Sequence, residues 1–127
     1  MDTTTNTINW FEVPVTDINR AKKFYESVFN IEMGEPMEMM GMKMVFFPYE
    51  EGSGKLSGGL VQGPMHKPSM TGVIIYFNGN PDLSDALGRI EKAGGKVTMP
   101  KTAIGENGFM AFFIDTEGNN VALHSQK

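Results

Sequence analysis

The chain has 127 residues and a mass of 14.0 kDa, a length that usually closes around one core. Hydrophobic residues make up 40% and charged residues 20%, which excludes a disordered or fibrous chain. The 11 Lys and Arg residues, against 15 Asp and Glu, are dispersed, with only Lys22-Lys23 adjacent, and this excludes a phosphate-binding nucleic-acid surface.

Taken in chain order, the alternating run Ile8–Val15 predicts a strand. A helix follows over Asp17–Phe29, with Ile18, Ala21, Tyr25 and Val28 on one face and Asp17 suited to cap its start. Strands are predicted at Glu35–Met40, Met42–Phe47 and Leu56–Val61. A connector rich in Gly and Pro covers residues 63–70. The pattern then starts again, with a strand at Thr71–Phe77 and a helix over Asp82–Ala93. The helix face Leu83, Ala86, Ile90 and Ala93 lies 65 positions beyond its counterpart, and Gly94-Gly95 provides the exit. Strands at Lys96–Pro100, Gly108–Ile114 and Asn120–Ser125 complete the second half. The reading is a single domain over residues 1–127 with two βαβββ modules, one at about 7–62 and one at about 71–126. The fold class is α+β, with the two sheets curving around a shared cup.

The run Trp10-Phe11-Glu12-Val13-Pro14-Val15-Thr16-Asp17, then Arg20-Ala21, Phe24-Tyr25 and Val28-Phe29, resembles the opening module of the glyoxalase / bleomycin-resistance / extradiol-dioxygenase superfamily, the vicinal oxygen chelate fold. Ala93-Gly94-Gly95-Lys96-Val97, Met99-Pro100-Lys101-Thr102 and Phe113–Asn119 resemble its closing module. The resemblance implies one divalent metal in the cup, held by His, Gln or Glu from the first and last strand of each module. Carried over by position, those sites hold Trp10, Ile75 and Ala122, none of which has a donor atom for a metal. The fourth position should lie within Leu56–Val61, where Gln62 is the nearest candidate. No divalent cofactor is therefore expected. A displaced site at Glu12 and His124 would have two ligands, short of the three that a catalytic zinc commonly uses.

Strand alternation and the resemblance together put Trp10, Glu12, Phe46, Phe77, Phe112 and His124 on the cup wall, with the indole of Trp10 buried in the metal's place. Glu12 and His124 are the only candidates for acid–base chemistry. His66 reads as a solvated residue of the connector. The six methionines Met33, Met37, Met39, Met40, Met42 and Met44 read as adaptable packing or a pliable wall rather than a Cu(I) site, since no His or Cys accompanies them.

The expected function is binding of a small planar or cationic molecule in an aromatic-lined cup without the usual metal. The alternative is an enzyme of the same superfamily, either with displaced ligands or metal-free. Strands at open sheet edges predict a homodimer. The chain has no cysteine, no apolar run near the ~20 residues that span a bilayer, and no signal-like start in Met1–Thr7. A cytoplasmic protein without a membrane partner is expected.

Overall fold

A computed structural model describes residues 1–127. The elements are β1 (Trp10–Pro14), α1 (Ile18–Phe29), β2 (Met37–Met39), β3 (Met42–Phe46), β4 (Ser57–Gln62), β5 (Tyr76–Asn78), α2 (Ser84–Leu87), β6 (Lys96–Ala103), β7 (Phe109–Ile114) and β8 (Asn120–Ser125). They build two four-stranded mixed sheets, ordered β1-β4-β3-β2 and β5-β8-β7-β6. In each, the first strand runs parallel to the last and the other neighbours are antiparallel. The class is α+β, and the repeat read from the sequence is present strand for strand. No helix is long and apolar enough to cross a membrane.

Helix α1 begins where its first N–H groups find acceptors. The Asp17 carboxylate accepts from Arg20 N at 3.1 Å and the Gln62 side-chain oxygen from Ile18 N at 3.0 Å. Asn30 ends the helix in the left-handed conformation, φ 53°. Its buried face, Ile18, Ala21, Phe24, Tyr25 and Val28, packs against both sheets. Phe24 meets Phe113 of β7 with ring centroids 6.1 Å apart, and Tyr25 meets Phe47 beyond β3 and Phe77 of β5 at 5.7 and 5.5 Å. The two modules thus share one core, and each large side chain fully buried there contributes about 1.5–3 kcal/mol.

A polar clamp ties the start of α1 to the β7–β8 turn. Glu117 accepts from the backbone N–H groups of Thr16 and Asp17, both at 2.9 Å, and from Arg20 Nε at 2.7 Å. Beneath it, the buried Tyr25 hydroxyl donates to Asp115 at 2.7 Å, and Asn119 donates to Pro14 O at 2.7 Å. Burial pushes the Glu117 carboxyl up, but the Arg20, Asp17, Thr16 and Thr116 donors outweigh it and hold the group at about 2. Burial first, and then the Asp115 charge, pushes the Tyr25 hydroxyl well above the ordinary tyrosine range.

The second module departs from the expected elements in two places. The strand predicted over Thr71–Phe77 pairs only over Tyr76–Asn78. Gly72 turns the chain at φ 116°, and the Ser69 hydroxyl closes a local turn by accepting from Thr71 N at 3.0 Å. The helix predicted over Asp82–Ala93 is regular only at Ser84–Leu87, ending on Gly88, and continues as turns. Leu83, Ala86 and Ile90 are nevertheless buried at helical spacing.

Register shows which residues share a face. Glu12 lies opposite Gly59, which lies opposite Phe46. In the second sheet Tyr76 lies opposite Ala122, which lies opposite Phe112. Matching these rows makes Tyr76, not Phe77, the counterpart of Glu12. From β1 to β5 the repeat is 64 residues while the helix repeat is 65, so the second module has one extra residue between its first strand and its helix. One residue in a strand reverses the face.

Candidate functional site: an apolar groove between the two modules

Strands β1 and β5 are edge strands of their sheets, and between them lies a groove of about 650 Å³. Its walls include Ile8, Trp10, Glu12 and Leu56 from the first module and Ile74 and Tyr76 from the second. Trp10 is 40% exposed and Tyr76 50%, so the expected burial of the indole is corrected: Trp10 walls an open groove. Each ring is braced edge-on by the neighbouring aromatic of its own sheet, Trp10 by Phe46 at 5.3 Å and Tyr76 by Phe112 at 5.9 Å. Phe46 and Phe112 therefore stand on the faces expected of them, behind the residues that line the groove.

Phe77 does not. It is 9% exposed and turned into the shared core against Tyr25, Phe29 and Phe47. The one-residue difference between strand and helix repeats is the cause, and it also moves Ile75 off the row that Trp10 occupies.

Glu12 is placed at the groove, and its partner is His66. His66 Nε2 lies 2.8 Å from Glu12 Oε1, with the imidazole 16% and the carboxylate 35% exposed. Nε2 is thus the ring nitrogen that faces the carboxylate. Nδ1 is buried without a partner. The reading of His66 as a solvated connector residue is thus corrected. The tight turn Gly63-Pro64-Met65-His66, closed by His66 N donating to Gly63 O at 3.1 Å, aims its ring at β1. His124 makes a separate contact, Nε2 to the Asn107 carbonyl at 2.6 Å. Glu12 and His124 do not form a pair.

The metal positions can be tested by their chemistry. Trp10, Ile75 and Ala122 offer no donor. The register rows offer Glu12, Gly59, Tyr76 and Ala122. Gly59 stands where the fourth ligand was expected, and Gln62 is occupied in capping α1. Nowhere do three His, Cys, Asp or Glu side chains gather as a metal would require. These residues do not fit a divalent ion.

Sequence reasoning missed Tyr76 and His66. The cross-strand match of Tyr76 to Glu12 would have revealed the first, but only once the register was known. His66 left no signal, because its role depends on how the connector folds back.

Residues 7–123 match the family model described as Glyoxalase/Bleomycin resistance protein/Dioxygenase superfamily. The chain belongs to this superfamily. Among curated proteins it is similar to the putative glyoxylase CFP32 of Mycobacterium tuberculosis (strain CDC 1551 / Oshkosh) and of Mycobacterium bovis, each 28% identical over 92% of this chain and 44% of the relative. The chain thus spans less than half the length of the curated relatives it matches. Two solved structures share the fold over nearly their whole length. A superfamily enzyme from Burkholderia phytofirmans PsJN is 14% identical, with a TM-score of 0.68 over 94% of this chain and 98% of that one. TnmS3, an antibiotic binding protein from Streptomyces sp. CB03234, is 20% identical, with a TM-score of 0.64 over 99% and 100%. One superfamily fold thus carries both an enzyme and a binding protein, so the groove itself must argue the function.

Proposed function

We propose that this superfamily member binds a small, flat, largely apolar molecule in the groove between β1 and β5, without a divalent metal. The observation that carries the reading is the pairing of two exposed aromatic rings, Trp10 and Tyr76, across an apolar groove that has one carboxylate, Glu12. Aromatic walls with a single oriented polar group suit recognition of a planar ligand. The description of TnmS3 as an antibiotic binding protein shows that this fold can serve binding. Absence of cysteine supports a cytoplasmic setting.

Trp10 is the only tryptophan, so its emission reports on the groove alone. Titration with a neutral aromatic probe such as 2-phenylethanol or N-phenyl-1-naphthylamine should give a saturable change that Tyr76→Ala weakens. No saturable change in folded protein would overturn the reading. Elemental analysis of protein purified without chelator should find well under one equivalent of zinc, nickel or iron. A full equivalent would sink the metal-free part.

A second reading, metal-free acid–base catalysis, is favoured by the Glu12–His66 bond. With Oε1 held, Oε2 is the oxygen left for a substrate proton, and His66 acts as a positioning residue. Exchange of a ligand C–H in deuterated buffer, lost in Glu12→Gln while binding persists, would favour catalysis over binding alone.

We also propose that two copies pair. β1 and β5 leave unpaired edges beside exposed Ile8, Val73 and Ile74, and such edges are commonly covered. Light scattering at micromolar concentration should give twice 14.0 kDa; a clean monomer would refute pairing.

A further inference from the structure

A second cavity of about 240 Å³ adjoins the groove and shares Glu12, Val73 and Ile75 with it. Its remaining walls include Lys67, Ser69, Thr71, Asn119 and Asn120. Most of these polar groups are already engaged. Asn119 accepts from Ser69 N at 3.1 Å and donates to Pro14 O and Asp115. Ser69 Oγ donates to the Thr71 carbonyl at 2.6 Å. Three groups remain open. Glu12 uses only Oε1, toward His66. Lys67 takes part in none of the ion pairs of the chain. The Asn120 side chain makes no hydrogen bond, while its backbone N–H donates to Ser69 O at 3.3 Å.

A carboxylate with one open oxygen, Glu12, and a lysine with no ion-pair partner, Lys67, line one small cavity and together constrain what can enter. A ligand bearing only an amine would pair with Glu12 but meet Lys67. One bearing only an acid would pair with Lys67 but meet Glu12. A head group with both charges on neighbouring atoms satisfies each wall, and leaves no charge desolvated and unpaired. We infer that the cavity is a head-group site for a zwitterion of the α-amino-acid type. Its amine bonds Glu12 Oε2, its carboxylate bonds Lys67, and its flat apolar side chain lies between Trp10 and Tyr76. The His66 bond fixes the Glu12 carboxylate in the orientation that presents Oε2. This inference rests on the groove reading above, and adds the chemistry of the end that the aromatic walls do not see.

Four ligands with one apolar body separate the two claims: 1-naphthylalanine, its amine analogue 2-(1-naphthyl)ethylamine, the acid 3-(1-naphthyl)propionate and the neutral 2-(1-naphthyl)ethanol, each measured by calorimetry on the intact chain. The zwitterion is expected to bind at least ~10-fold more tightly than any of the other three, a difference of ~1.4 kcal/mol. Lys67→Met should bring it down to the level of the amine, Lys67→Arg should keep most of the preference, and Glu12→Gln should bring it down to the level of the acid. Lys67 is exposed, so its variants test the claim even where Glu12→Gln disturbs β1. Equal binding of the alcohol and the zwitterion overturns the head-group site and leaves the groove standing. Tight binding of either singly charged analogue also overturns it. Failure of all four to bind overturns both.

Discussion

The two modules have one topology and divide the labour unequally. In the first, a 12-residue helix buries five side chains and reaches across to the other sheet. In the second, the helix is regular for four residues. The difference traces to one position. Gly88 ends α2, whereas its counterpart 65 residues earlier is Lys23, which lets α1 continue. Duplicated topology fixed the strand order, and single residues then decided which copy organises the core. The outer faces differ as well. The first sheet presents Trp10, Phe46 and a glycine at Gly59; the second presents Tyr76, Phe112 and a hydrogen-bonded His124.

The sharpest break in that division is at the clamp. Glu117→Ala removes the acceptor that the Thr16 and Asp17 amides and Arg20 share across the modules. It should cost about 2–4 kcal/mol, read as a fall in Tm on the order of 10 °C. A loss under about 0.5 kcal/mol would mean that the shared apolar core alone joins the modules.

Ligand binding should separate the two walls. Trp10→Ala and Tyr76→Ala should each weaken an aromatic ligand by ~1–3 kcal/mol, since both rings flank it. Loss at Trp10 with none at Tyr76 would make the first module the whole site.

Acid should act through the same clamp. The folded-state pKa of Glu117, about 2, lies below its ordinary value of 4.5, so its contribution is present above pH 4.5 and is lost as pH falls toward 2. Denaturant unfolding between pH 5 and pH 2 should show stability declining in the wild type and a shallower slope in Glu117→Gln. Identical slopes would assign the acid sensitivity to other carboxylates.

The smallest expected effect concerns the helices. At Gly88, φ is −67°, and an added Cβ would sit 3.3 Å from Ser84 O, a tight contact that the Ser84 carbonyl relieves by giving a few tenths of an ångström. Gly88→Ala should extend α2 and stabilise by about 0.5–1 kcal/mol. Destabilisation would show that the turn after α2 is required.

The sequence made strand order, α1 and the family legible, because apolar alternation, the Asp17 cap and the 65-residue helix repeat are local or periodic signals. The groove was half legible. Trp10 and Glu12 followed from alternation along β1, but carrying the helix repeat into β5 placed Phe77 on the wrong face and overlooked Tyr76. A repeat length is a property of each element, and an extra residue between strand and helix leaves no mark in hydrophobicity. His66 was illegible for another reason. Its partner lies 54 residues away, and only the folded turn at Gly63–His66 brings them together.

The bond between Tyr25 and Asp115 joins residues 90 positions apart, and this bears on the birth of the molecule. A ribosome adds about 5–20 residues per second. Phe24 and Tyr25 thus wait on the order of 5–20 s before their partners in β7 and the turn after it exist. During that interval only Phe47 and then Phe77 cover part of the aromatic face of the longer helix. Nascent chains halted before Phe113 should bind general chaperones or aggregate, and chains released past Asn119 should not.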